Sequence, residues 1–364
     1  MKVKDILTSL EAWAPPSYQE SYDNSGLLIG DSSATFTKAL ITLDVTEAVL
    51  DEAIEKGCNL VIAHHPLIFG GIKRITGHHW VERCIIKAIK NDLIIYAIHT
   101  NLDNVHDGVN AMIARKIGLQ NVSILKPKSD TLTKLVTFVP VAQTQGVLDA
   151  LYQAGLGEIG KYDHCSFRMM GTGTFRPDDT ANPAIGTPGK DEEVEENRIE
   201  GIFPSHAKGK IVAALKQNHP YEEVVYDMYA LENSNQNIGS GAIGTLESPM
   251  ESEAFIVTLK ERMELNTVKC TAFVKKHISK VAICGGSGGF LLRNAKRQKA
   301  DIFITSDYKY HEFFEADEQI IIADIGHYES EVFTKNLIAE RLQSEFADED
   351  FLLSEVVTNP VKYF

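Results

Sequence analysis

No C-x-x-C pair occurs in this chain, and its five cysteines, at 58, 84, 165, 270 and 284, are scattered and odd in number. Several lie inside apolar runs, so they read as buried reduced thiols of a cytoplasmic protein rather than as a disulfide framework. No apolar run approaches the length of a membrane helix, so no membrane partner is expected. The stretch Met1–Pro16 is amphipathic and lacks the continuous apolar segment of a signal peptide. Basic excess is also missing. Lys plus Arg number 36 against 50 Asp plus Glu, a net charge of −14. Sequence-independent nucleic-acid binding needs a basic face that neutralises phosphates, so no direct nucleic-acid binding is expected. A nucleotide substrate is not, because a bound metal or a local basic patch can reverse the field inside a cleft.

Two phosphate-binding signatures are incomplete. Gly285-Gly286-Ser287-Gly288-Gly289 follows an apolar strand and precedes a helix, but the Gly-Lys-Ser/Thr ending of a Walker A loop is absent. Its backbone amides could face an anion; a plain tight turn is the even alternative. Gly239 to Gly244 matches G-x-G-x-x-G by spelling alone, because the preceding strand of a dinucleotide-binding unit is missing.

What is present is a rhythm. With 364 residues, 44% hydrophobic and 24% charged, the chain can build two or three ordinary globular domains. Strand and helix patterns alternate over 38–117, with strands at 38–43, 59–63 and 93–98, and Gly118 closes the last helix. That βαβαβ order predicts parallel strands with right-handed crossovers. Over 127–237 the order changes to one strand and helix, then strands at 162–169, 171–175 and 197–203, a helix from Ser205 as N-cap, and a strand at 222–231. This is the order of a ferredoxin-like α+β unit, and it interrupts an α/β pattern that resumes over 238–364. The expected fold is therefore a two-part α/β core with mostly parallel sheets (1–126 and 238–364), carrying an α+β insert (127–237). The acidic run 191–196 reads as a solvated face, and His219-Pro-Tyr-Glu-Glu as a turn more readily than as a metal site.

Chemistry-bearing residues gather where strands end. Asn59 to Ala63 is a buried strand that stops at His64-His65-Pro66, since proline has no amide to continue a ladder. Leu43 is followed by Asp44. Ile98 is followed by His99-Thr-Asn-Leu-Asp103. A strand at 319–323 leads to Asp324-Ile-Gly-His327-Tyr-Glu-Ser-Glu331, where His327 and Glu331 share a helix face. Parallel strands put their carboxyl ends on one rim, where ligands bind in open α/β sheets. Taken singly, each has a plain reading: loop histidines at 64 and 65, hydrogen-bonded or exposed rings at 99 and 106, a helix start at 78–79, an exposed ion pair at 327 and 331. Together, three imidazoles and two carboxylates form a mixed nitrogen and oxygen set that suits Zn²⁺, Mn²⁺, Fe²⁺ or Co²⁺ better than Mg²⁺ or Ca²⁺. Five donors exceed the three usual for one catalytic zinc. With a bridging carboxylate they could serve two ions about 3.5–4 Å apart. Neighbouring residues cannot easily chelate one ion, so His64 and His65 would serve different ones.

Four stretches carry a resemblance to a known family: Asp-Asn-Ser-Gly-Leu-Leu-Ile-Gly (23–30), Ala-His-His-Pro-Leu-Ile-Phe (63–69), Ala-Ile-His-Thr-Asn-Leu-Asp (97–103) and Asp-Ile-Gly-His-Tyr-Glu-Ser-Glu (324–331). Over essentially its whole length the chain resembles the GTP cyclohydrolase I type 2 homologues, also called Ngg1-interacting-factor-3-like proteins. The resemblance implies a dinuclear metal site on His64, His65, Asp103, His327 and Glu331, with Glu331 bridging two divalent ions, zinc first and Fe, Mn or Co as alternatives. It also implies a ring-shaped homohexamer and a PII/CutA-like identity for the insert. The implied activity is hydrolytic opening of the imidazole ring of GTP, with release of formate. His99 and His311 are candidates for the general acid; Lys73, Arg74, Lys309 and the 285–289 loop are candidates for phosphate contacts. The rival class is a non-catalytic metal-binding regulatory or assembly protein whose insert senses a small ligand or partner.

Overall fold

The computed structural model describes residues 1–363. They fall into two compact units, one built from residues 1–126 and from 237 onward, the other from 127–236. Among the described residues, no helix is long and apolar enough to cross a membrane.

The first unit begins with α1 (Val3–Trp13), β1 (Gly26–Ile29), β2 (Ala39–Thr42), α2 (Glu47–Glu55), β3 (Leu60–Ala63), α3 (Trp80–Lys90) and β4 (Ile94–Ala97). The one-turn helix α4 (Thr100–Asp103), α5 (Val109–Ile117) and β5 (Gln120–Lys128) follow. The second unit holds β6 (Leu132–Pro140), α6 (Thr144–Gln153), β7 (Ser166–Phe175), β8 (Glu192–Pro204), α7 (Lys208–Asn218) and β9 (Tyr226–Leu231). The chain then returns through β10 (Asn235–Glu251), α8 (Ser252–Met263), β11 (Lys269–Cys270), β12 (His277–Ser287), α9 (Leu292–Arg297), β13 (Ile302–Ser306) and β14 (Ile321–Asp324). It closes with α10 (His327–Glu331), α11 (Thr334–Glu345) and β15 (Phe351–Leu353).

Two sheets build the first unit. One has the order β1-β4-β3-β2-β15, parallel except for β1. The other has the order β11-β14-β13-β12-β10-β5, with β12, β13 and β14 parallel. Parallel strands need both faces covered, which explains why every residue of β2, β3 and β4 is buried. The period of two sorts them: Leu60 and Ile62 pack into a layer with Ile6, Leu10, Ile113 and Ile338, while Val61 and Ala63 pack against Val49, Leu50 and Ile85 of α2 and α3. Ile302, Ile304, Ile321 and Ala323 of the second sheet reach the same inner layer as Leu60 and Ile62. Truncating a side chain there, such as Ile62→Ala, would cost about 2–5 kcal/mol. This layer sets the carboxyl ends of β3, β4 and β14 in place.

In the second unit a four-stranded antiparallel sheet, order β7-β8-β6-β9, packs Leu135, Val139, Ile199 and Phe203 onto Leu148 and Leu151 of α6 and Ile211 and Leu215 of α7.

Several local expectations change. The strands expected at 162–169 and 171–175 are one strand, β7, because Gly171 sits within an edge strand and pairs with Glu196. The acidic run 191–196 is not simply a solvated face: from Glu192 it forms the start of β8, and Glu196 is buried under the Tyr221 hydroxyl, which donates to it at 2.8 Å. Ser205 does not cap α7; its hydroxyl pairs with that of Thr133, and a 3-10 turn precedes the helix. The helix expected from His327 to about 343 is broken into α10 and α11. Gly239 to Gly244 lies inside β10, in keeping with the rejected dinucleotide reading.

Candidate metal centre

β3 ends where the backbone amides of His64 and His65 still bond to the carbonyls of Thr42, the last residue of β2, and Leu43 just beyond it. Both rings are thereby aimed along the rim. His64 is fully buried, and its Nδ1 lies 2.8 Å from the Ile98 carbonyl. A carbonyl only accepts, so Nδ1 carries the proton and Nε2 is a bare lone pair. Nothing in the protein meets that lone pair: Nε2 is buried without a hydrogen-bond partner, and so is Oδ1 of Asp103, 3.7 Å away. Asp103 ends α4, the turn that follows β4, whose carbonyl is tied to Asn110.

The second half of the chain supplies the rest. α10 begins just beyond β14, and Gly326 enters it at φ +92. His327 Nε2 and Glu331 Oε2 lie 3.1 Å apart, one turn along the same face. That same oxygen is 2.9 Å from His65 Nε2 and 4.0 Å from His64 Nε2. One carboxylate oxygen is thus the common neighbour of three imidazoles. Gly286 makes room for it: its φ is +59, and a Cβ there would come within 2.4 Å of Glu331 Oε1.

Each outer ring is held from behind. Asp44 Oδ1 lies 2.7 Å from His65 Nδ1, and Asp307 Oδ2 lies 2.6 Å from His327 Nδ1. A carboxylate or carbonyl on the far ring nitrogen is what orients metal-binding histidines. Asp23, itself bonded to Thr100 and Ser25, holds His99 Nδ1 at 2.7 Å. The His99 ring stands edge-on to His64 and His65, 5.3 Å from each.

The electrostatics of the bare protein describe a crowded site. Burial pushes His64 down to about 3, so it is neutral. Burial also opposes charge on His65, but its bonds to Asp44 and Glu331 outweigh this and push it up to about 10. His327 rises to about 9 against its own burial, through Glu331 and Asp307. Burial would raise Glu331, yet the bonds from His327 and His65 hold it well below the usual carboxylate range. Asp103 is pushed well above that range, first by burial and then by the charge of Glu331. Protons here occupy positions that a cation could take.

Donor atoms of three sets lie within 4.8 Å of one another: His64, His65 and His99; His65, His327 and Glu331; His64, Asp103 and Glu331. The groups present fit a divalent cation, since a buried bare imidazole nitrogen and a buried bare carboxylate oxygen face each other with no internal partner. The cluster opens onto a cavity of about 400 Å3 whose walls include Tyr22, Phe69, His99, Asn110 and Phe290.

The fold brings His64, His65, Asp103, His327 and Glu331 together, with His99 beside them. It does not bring His311, which is exposed on the 3-10 turn Tyr310–Ala316 next to Tyr310 and Phe314, away from the cavity. Lys73, Arg74 and Lys309 are also absent from the described cavity wall, which holds no lysine or arginine. The 285–289 loop is not an anion cradle: the amides of Gly285, Gly286 and Gly288 donate to Asn110 Oδ1, Ser330 Oγ and Thr305 Oγ1. His219, buried in the second unit, has both nitrogens engaged, Nε2 at 2.9 Å from the Phe138 carbonyl and Nδ1 accepting from the Tyr221 amide. Sequence reasoning assigned no role to Asp44, Asp307 or Asp23. Their only signal was position, one or a few residues past a strand end or in a turn.

Residues 1–360 match the family model described as Duf34/NIF3 (NGG1p interacting factor 3). The chain is 39% identical to a "GTP cyclohydrolase 1 type 2 homolog" of Halalkalibacterium halodurans over 98% of each chain. It is 37% identical to a protein of the same description from Bacillus subtilis, over 99% of this chain and 98% of that one. Among solved structures, a Bacillus cereus protein related to NIF3 superposes with a TM-score of 0.88 at 36% identity, covering 100% of this chain and 99% of the other.

Proposed function

Given that the chain belongs to the Duf34/NIF3 family, we propose that it is a metal-dependent hydrolase with a dinuclear centre. His64, His65, Asp103, His327 and Glu331 would hold the two ions, zinc first, with Glu331 as the carboxylate shared between them. One observation carries this reading: a single Glu331 oxygen lies between His65 and His327 while His64 Nε2 and Asp103 Oδ1 remain buried and unpartnered. Divalent ions at such a site acidify water and polarise the bond to be cleaved. The chain's own residues do the remainder. Asp44, Asp307 and the Ile98 carbonyl fix the rings. Asp23 pins His99 through Nδ1, which leaves Nε2 to exchange a proton with a molecule in the cavity. Tyr22, Phe69 and Phe290 offer apolar surface for a planar ring.

The name of the curated relatives makes GTP the first substrate to test, with opening of its imidazole ring and release of formate. No lysine or arginine lines the described cavity, so the phosphates of a nucleotide would depend chiefly on the ions for their charge partners. Residues 127–236 belong to the same proposal as a PII/CutA-like insert, supported by their β-α-β-β-α-β order, and the assembly as a homohexameric ring, which light scattering tests.

The test is turnover by full-length protein loaded with Zn²⁺, Mn²⁺, Fe²⁺ or Co²⁺, on GTP and then on a panel of cyclic amides and phosphoesters, alongside elemental analysis. The expected result is metal-dependent product that vanishes on chelation. Metal retention near two ions per chain without turnover on any substrate would replace the hydrolase by the non-catalytic regulatory reading. Failure to hold any ion would remove the centre itself.

A further inference from the structure

The chain beyond β15 stays on the rim. The Ser354 amide donates to the Ile41 carbonyl at 2.9 Å, and Lys335 Nζ donates to the Ser354 carbonyl at 2.9 Å. The Ser354 hydroxyl and the Glu355 amide both bond to Glu52, at 2.5 and 2.9 Å. This anchoring delivers Thr358 to the residues just past β2, where its Oγ1 donates to Asp44 Oδ2 at 2.5 Å. The other oxygen of Asp44 is the one that holds His65 Nδ1.

The next residue reaches the other arm of the centre. Asn359 Nδ2 donates to Glu329 Oε1 at 3.0 Å, and the Tyr363 hydroxyl bonds the same carboxylate. Glu329 lies in α10 between His327 and Glu331, and its Oε2 covers Gly326, where a Cβ would meet it at 2.2 Å. Two consecutive residues of one segment therefore touch the support of His65 and the helix that carries Glu331, a donor 266 residues away from it in sequence.

We infer that residues 354–363 form a clasp that positions the donors of the centre: Thr358 locks Asp44 and through it the His65 ring, while Asn359 and Tyr363 lock the first turn of α10. The physical reason is rotational. A carboxylate held at one oxygen can still swing about its χ2 bond, and one held at both cannot, so the imidazole it supports loses a soft degree of freedom. Thr358 and Asn359 touch no reacting group; they are positioning residues. The inference rests on the metal-centre reading above.

The experiment compares full-length wild type with Thr358→Val, Thr358→Ser and Asn359→Ala. Zinc affinity is read by competition with a chromogenic chelator, and amide exchange of the metal-free proteins is read by mass spectrometry over 42–46 and 326–331. Thr358→Val should weaken zinc about tenfold and Thr358→Ser should stay within about twofold of wild type, the scale on which supports behind a ligand act. Asn359→Ala should speed exchange over 326–331 with circular dichroism unchanged. Wild-type affinity in Thr358→Val, or a serine variant as weak as the valine one, overturns the clasp. Wild type that takes up no zinc overturns the metal-centre reading instead. The clasp is then decided by metal-free exchange: faster at 42–46 in the valine variant and not in the serine variant supports it, and unchanged exchange refutes it.

Discussion

Two buried histidines, one in each unit, show opposite economies. His219 in the second unit has a carbonyl on Nε2 and an amide on Nδ1, so its ring is finished as a piece of structure. His64 in the first unit is more deeply enclosed still, yet only Nδ1 is matched and Nε2 points at an equally bare Asp103 oxygen. An unpaired buried acceptor costs about 1–3 kcal/mol in the folded state. A protein tolerates that where something else completes the pair. Burial of a histidine therefore says little about its work; the state of its second nitrogen says a great deal.

That contrast can be broken by experiment. The largest effect is expected from Glu331→Gln, which takes away the negative charge shared by three rings and replaces one carboxylate oxygen with an amide nitrogen that cannot ligate. Metal affinity should fall by more than about 100-fold, beyond the 10–100-fold seen when only a supporting residue is lost, as read by elemental analysis after dialysis. Retention of both ions in this variant would dismantle the shared-oxygen arrangement. His99→Asn comes next: it should leave metal content intact while lowering turnover by about 10²–10⁴-fold, the range for loss of a general acid or base. An equal loss of metal would make His99 a ligand instead.

The pH response sharpens the comparison because His65 and His327 should move in the opposite direction to His219. In the metal-free protein His65 and His327 have raised pKa values, about 10 and about 9. Their stabilising contribution is complete below the ordinary histidine value and is lost as pH rises through 9 to 10. His219 is lowered, first by burial, so its contribution is present above the ordinary value and is lost as pH falls. Urea titrations followed by segment-specific hydrogen exchange should show alkaline weakening around His65 and His327 and acid weakening around His219. Divalent cations displace the protons on His65 and His327, so metal affinity should climb with pH up to about 9–10 and binding should release protons, measurable by calorimetry in buffers of different ionisation enthalpy. The smallest effect is expected from His219→Ala: a stability loss of about 1–3 kcal/mol from the unpaired Phe138 carbonyl and Tyr221 amide, with metal content unchanged.

Much of the side-chain cluster was legible because its signals were local. An apolar run that stops at His64-His65-Pro66 and an i, i+4 pair at His327 and Glu331 declare themselves within eight residues. The parallel strands told where such ends would meet. The supports were not legible, because Asp44, Asp307 and Asp23 find their rings 21, 20 and 76 residues away, and nothing in a short window encodes that pairing. The break between α10 and α11 was missed for a different reason: the pattern across 327–343 has no proline or glycine to mark it. Gly171 misled in the opposite sense, since a glycine that usually punctuates lies here within an edge strand, where it pairs with Glu196. The glycine loop at 285–289 left an anion cradle and a plain turn evenly open, because a sequence does not reveal that Asn110, Ser330 and Thr305 already take up its amides.

The place of β15 bears on how the protein is made. This strand, Phe351–Leu353, is the edge partner of β2, one of the first strands to emerge during synthesis. Until residues 351–353 leave the ribosome, the flank of β2 remains an open ladder, and until residue 331 emerges His65 has no Glu331 to face. A nascent chain can thus assemble most of its first sheet early and still be unable to trap an ion. Any loading would have to follow the emergence of residue 331, and a chain that stalls short of it carries both an unprotected strand edge and an incomplete set of candidate donors.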